Sequence, residues 1–116
     1  MEMHTFFASV GGDYEAVLRR LPSESMIRRF VGKFRKDPSY CDLKRGLAEG
    51  DLTLAFRAAH TLKGTAANLG LDTLAGAASD LTEQLRNASA LPEKGYIEAV
   101  DWAYQMTIEK IEQISE

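Results

Sequence analysis

Apolar residues recur at spacings of three and four throughout this 116-residue chain, and no stretch alternates apolar with polar residues long enough to make a half-buried strand. The chain therefore reads as all-helical, with glycine, proline and capping residues marking the breaks. A short start over residues 5–10 ends at Gly11-Gly12. Asp13 is then placed to cap a brief helix carrying Tyr14, Val17, Leu18 and Leu21, which Pro22 stops. Ser23 caps the next helix, which bears Met26, Ile27, Phe30, Val31 and Phe34 on one stripe and basic residues on the other, as far as Asp37-Pro38. Ser39 and Asp42 are spaced like a capping box for a helix with Tyr40, Leu43 and Leu47, closing at Gly50.

Asp51 can cap a longer helix over 52–69. At about 100° per residue, Leu52, Ala55, Phe56, Ala59, Leu62, Ala66 and Leu69 fall in one broad arc, with His60, Lys63, Gly64 and Ala67 on its flank. Gly70 suits a left-handed helix closure and Asp72 the cap of a returning helix over 73–87, so the two form a tight antiparallel hairpin. The small residues Ala75, Gly76, Ala77 and Ala78 let the axes approach near the turn, and Leu74, Ala78, Leu81 and Leu85 make the apolar stripe. After a linker over 88–92, a last helix presents Ile97, Val100, Tyr104, Ile108, Ile111 and either Ile114 or Ser115, with Trp102 off the stripe. The sum is a single domain over residues 1–116, an up-and-down antiparallel four-helix bundle with short additional N-terminal helices.

Bulk properties narrow the function classes. The length suffices to bury a core without metal or disulfide support. A lone cysteine, Cys41, cannot form an internal bridge and reads as a small buried residue, and no apolar run approaches a membrane span or signal core, which points to the cytoplasm. A net charge of −3 argues against general nucleic-acid binding. Charge is uneven, since Arg19, Arg20, Arg28, Arg29, Lys33, Arg35 and Lys36 make the first third basic, a run that a solvated helix face accounts for. With two histidines and one cysteine at no ligand spacing, metal binding is set aside, and His4 reads as a loose terminal residue.

The run His60-Thr61-Leu62-Lys63-Gly64-Thr65-Ala66-Ala67-Asn68-Leu69-Gly70 sets an imidazole, an ammonium group and a bare backbone position on one helix flank, because positions i, i+3 and i+4 are surface neighbours. Such a trio offers a nucleophile, a cation for an anion, and room for a second molecule. Position by position, Ala58-Ala59-His60-Thr61-Leu62-Lys63-Gly64 with Asn68-Leu69-Gly70 resembles the signature of histidine-containing phosphotransfer (HPt) domains of bacterial multistep phosphorelays. The likeness extends from about Gly11 to Ile114 and includes the Glu49-Gly50-Asp51 turn and the hairpin at Gly70.

The resemblance implies that His60 is phosphorylated, that Lys63 is the cation beside the phosphoryl group, and that Gly64 leaves room for a docking receiver domain. It implies a phosphoryl carrier, monomeric and without kinase or phosphatase activity of its own. Its partners would be response-regulator receiver domains, which bring the aspartyl phosphate and Mg²⁺, and a hybrid histidine kinase. No nucleotide loop, Walker pattern or carboxylate cluster for Mg²⁺ is present in the chain, which accords with that division of labour. Arg57, Ala67 and Arg86 are the further candidates for phosphate or partner contact. Arg86 would lie across from His60, where members of the family often carry a polar or basic residue. A shallow docking patch would draw on Phe56, Ala59, Ala67 and the apolar residues of the 24–36 region, although core packing is the simpler role for Phe56. One departure stands out, because Thr82 occupies a position where related sequences carry a longer polar side chain able to reach the histidine. Thr65 is assigned no role. The rival reading is a bundle of the same fold that docks a receiver or kinase without being phosphorylated. The starting methionine favours a free-standing protein over a piece of a larger kinase.

Overall fold

A computed structural model describes residues 1–114, which form seven α-helices and one 3₁₀ turn. These are α1 (Met3–Ser9), α2 (Tyr14–Arg20), α3 (Glu24–Lys33) with the 3₁₀ turn Phe34–Lys36, α4 (Ser39–Glu49), α5 (Leu52–Asn68), α6 (Asp72–Leu85) and α7 (Lys94–Ile114). Among the described residues there is no strand, as the spacing predicts. Three expected caps form: the side chains of Asp13, Ser23 and Asp51 accept from the backbone N–H groups of Glu15, Met26 and Leu54. Two expected C-terminal closures form as well, with Gly50 at φ +71° and Gly70 at φ +76°. At Gly70 the closure is complete: its own N–H donates to the Ala67 carbonyl and the Leu71 N–H to the Ala66 carbonyl, at 3.1 and 2.9 Å.

Elsewhere the local reading is corrected. No capping box forms between Ser39 and Asp42. Pro38 already has helical backbone angles, so the start of α4 is served by Asp37, which accepts from the Ser39 N–H at 2.9 Å, while Asp42 pairs with Arg45. Asp72 is the first residue of α6 rather than its cap, a position where its charge still suits the helix dipole. The Thr73 N–H is taken instead by the Val10 carbonyl at 3.0 Å. α6 stops at Leu85 because Arg86 is extended and Asn87 is left-handed at φ +56°. Cys41 is exposed, since α4 turns Leu43 inward and Cys41 outward. His4 is not a loose terminal residue: it sits within α1, 2.8 Å from Glu15 and edge-on to the Tyr14 ring. On α7 the fully packed line is Val100, Ala103, Thr107, Ile111 and Ile114, with Ile97, Tyr104 and Ile108 half-buried beside it; Trp102 is 65 % exposed as expected, and Ser115 lies outside the described residues.

α5 packs against α4 on one side and α6 on the other, and α6 packs against α7. Small residues set the close approaches. A Cβ on Gly46 of α4 would lie 2.7 Å from the backbone nitrogen of Ala55, so the α4 and α5 backbones meet directly. α4 and α7 are tied by side chains, with the Tyr40 ring stacked 3.8 Å from that of Tyr104 and Lys44 and the Tyr40 hydroxyl both on Asp101. The N-terminal helices cap the α5–α6 turn. A Cβ on Gly12 would overlap the Gly70 carbonyl, and the Arg20 guanidinium donates to the Ala67 and Asn68 carbonyls at the end of α5.

Candidate functional site

The inner arc of α5 is buried through Ala55, Ala58, Ala59, Leu62, Ala66 and Leu69, which fixes the rotation of the helix and leaves His60 on the outside. His60 and Gly64 are exposed and Lys63 is half-buried. At about 100° per residue, Phe56 and Lys63 lie to one side of His60 and Arg57 and Gly64 to the other. The first side faces α6. There the Phe56 ring lies nearly parallel to the imidazole, 14° apart in plane and 6.1 Å between centroids. The Arg86 guanidinium carbon sits 5.2 Å from the Phe56 centroid.

On the other side an open groove separates α5 from the α3 and 3₁₀ segment. Leu21, Phe30, Phe34 and Leu69 give it apolar walls, Gly64 lines it, and Lys33 and Lys36 stand among its charged residues. A Cβ built on Gly64 would meet nothing within 4 Å, and its backbone is ordinary helix. Packing within the chain therefore does not require glycine there.

The remaining candidates separate clearly. Arg57 and Ala67 are exposed on the same flank as His60, and Arg86 is brought beside it through Phe56. Ala59 is fully buried and cannot belong to a docking patch, whereas Phe56 is half-buried and forms the wall next to the imidazole. Thr82 is fully buried and donates its hydroxyl to the Ala78 carbonyl at 2.6 Å, so it faces the core and not the histidine.

One neighbour went unnoticed in the sequence. Glu83 holds Arg86 with two hydrogen bonds, Nε to Oε1 at 3.2 Å and Nη2 to Oε2 at 2.9 Å. Its carboxyl is held below the usual range, chiefly by the bonds from Arg86, with Lys63 and His60 contributing through space. The spacing of Glu83 and Arg86 on one helix was the available signal.

Among the described residues no cluster of His, Cys, Asp or Glu could hold a metal ion, and no helix is long and apolar enough to cross a membrane. No curated protein and no solved structure matches the chain. The family model for the Hpt domain matches residues 40–114, well over half of the chain. Hpt domains carry phosphoryl groups on histidine in two-component phosphorelays and interact there with receiver domains and kinases. With a helical bundle, an exposed histidine on a central helix and this match together, the chain belongs to the Hpt domain family.

Proposed function

We propose that the protein is a phosphorelay intermediate that takes a phosphoryl group on His60 from the aspartyl phosphate of one receiver domain and gives it to the aspartate of another. The observation that carries this reading is that His60 is the sole histidine within residues 40–114 and is exposed. An unprotonated imidazole offers a nitrogen lone pair near neutral pH. That nitrogen attacks phosphorus in line, the aspartate leaves as a carboxylate, and a P–N bond replaces the P–O bond. Lys63 offsets charge on the phosphoryl oxygens, Arg57, Ala67 and Arg86 border the docked partner, and Gly64 admits it. The chain needs no metal of its own, because Mg²⁺ belongs to the receiver.

Several finer points belong to the same reading. The four long helices α4 to α7 run up and down in alternation, the carrier works as a cytoplasmic monomer, and it has neither kinase nor phosphatase activity by itself.

The test is incubation of the purified protein with a panel of phosphorylated receivers and Mg²⁺. Acid-labile, alkali-stable label is expected on the wild type and none on His60→Gln. Label that persists in the variant assigns the chemistry elsewhere. Receiver binding without any label would establish the docking-module alternative instead.

A further inference from the structure

Two cations stand on the α6 side of His60, Lys63 and Arg86, and the Glu83 carboxylate is bonded to the second of them. Arg86 follows the last residue of α6 in an extended conformation, so its long side chain leaves the helix at the bundle surface. It is held there by the two-pronged bond to Glu83 on one edge and by the Phe56 ring under its face. The same Phe56 ring lies beside the imidazole, 6.1 Å between centroids. Glu83 also lies within electrostatic reach of Lys63 and His60.

This arrangement suits an unphosphorylated site, because the carboxylate neutralises the Arg86 guanidinium that a phosphoryl group would otherwise find free. A phosphoryl group carries close to two negative charges at neutral pH and presents oxygens that match a guanidinium fork as well as a carboxylate does. Glu83 and the phosphoryl group therefore repel each other and compete for the same donor. A guanidinium keeps its charge and its planar fork whichever partner it holds, so either anion can take it without any change in its protonation.

Resting on the reading of His60 as the phosphorylated residue, we propose that Glu83 is a positioning residue that parks Arg86 on the Phe56 ring, and that Arg86 passes from the Glu83 carboxylate to the phosphoryl group when His60 is phosphorylated. Glu83 thereby keeps the phosphorylated form from becoming too stable to hand its group on. No bond to phosphorus is made or broken in this exchange, and no proton moves.

The experiment uses potassium phosphoramidate, a small donor that needs no receiver, on the full chain labelled with nitrogen-15. The Arg86 Nε–H resonance and the fraction of phosphorylated His60 are followed together. The Arg86 resonance is expected to move on phosphorylation of the wild type. In Glu83→Gln it is expected to be displaced before phosphorylation, with the phosphorylated form surviving several-fold longer. In Arg86→Ala the survival should shorten, and adding Glu83→Gln to it should recover only part of the gain seen in the single variant. Both side chains are exposed, so neither change removes core packing.

An Arg86 resonance indifferent to phosphorylation, or a Glu83→Gln lifetime equal to that of the wild type, overturns the proposal while leaving the carrier role intact. A lifetime gain of the same size with and without Arg86 overturns it too, because Glu83 would then act by repulsion alone. Labelling by phosphoramidate with the expected Arg86 shift, but by no receiver, overturns the carrier role and leaves this proposal standing. A His60 that phosphoramidate does not label overturns both.

Discussion

At the scale of single residues, glycines do opposite jobs in this molecule. Gly70 has a left-handed backbone and a Cβ there would overlap Val17, so both its conformation and its surroundings demand glycine. Gly64 has neither constraint, since its backbone is helical and the space around it is open. A glycine inside a helix costs about 0.8–1.0 kcal/mol relative to alanine. Gly64→Ala should therefore raise the thermal midpoint by a few degrees, which calorimetry can read. Gly64→Gln should fold as well as the wild type yet slow phosphotransfer about tenfold or more, because a displacement of about 1 Å at the reacting centre can cost about a hundredfold. Equal transfer rates for Gly64→Gln and wild type would mean that nothing docks closely over this position. The sequence made His60, Lys63 and Gly64 legible because helical spacing alone places them together. It concealed Glu83, which comes to the Lys63 side of His60 only when α6 folds back on α5. It also concealed the inward turn of Thr82, which depends on the rotation of α6 about its own axis.

Among the elements, those ended by local chemistry were the most legible. Asp13, Ser23 and Asp51 cap as their side chains require, and Gly50 and Gly70 close helices as their freedom at positive φ allows. The reading failed where another residue intervened, as Pro38 and Asp37 did for Ser39, and as Leu71 did for Asp72 by taking the cap position, with the Thr73 N–H bonded to the Val10 carbonyl. It failed again on α7, where Thr107 occupies the centre of the packed line and breaks the apolar pattern that would have revealed it. The seat of the α1–α2 junction on the α5–α6 turn was equally hidden, because nothing in the spacing tells Gly11-Gly12 what it will touch. That seat makes a prediction. Gly12→Ala must push its new methyl group into the Gly70 carbonyl, which is backbone and cannot swing aside. Overpacking of this kind costs about 1–3 kcal/mol. Urea unfolding should show a loss in that range, and amide exchange should quicken first around Gly70 and Thr73. Unchanged protection there would mean that the N-terminal helices do not brace the turn that ends the His60 helix.

Across the whole molecule, polar bonds between helices set a limit that hydrophobic packing alone would not. Tyr40 on α4 bonds Asp101 on α7 at 2.7 Å, and Tyr14 on α2 bonds Glu24 on α3 at 3.1 Å. Burial first, and then the adjacent carboxylate, pushes each of these phenols above its ordinary range; Tyr104, stacked on Tyr40, is raised mainly by burial. For a group whose folded value is raised, the native state binds more protons than the unfolded chain once the pH passes the unfolded value, here about 10. The stabilisation is therefore complete below about pH 10 and is lost as the pH climbs above it. Urea midpoints measured from pH 8 to 11 should hold steady and then fall. Tyr40→Phe should begin lower at pH 8, by about 1 kcal/mol for the lost hydrogen bond. Its alkaline decline should be shallower, because one of the three raised phenols no longer titrates. Every other group is common to both proteins, so the difference between the two curves is the quantity that matters. Parallel curves would show that the α4–α7 contact draws nothing from the protonated Tyr40. Closure of the bundle would then rest on the Tyr40 and Tyr104 ring faces and on Lys44 with Asp101.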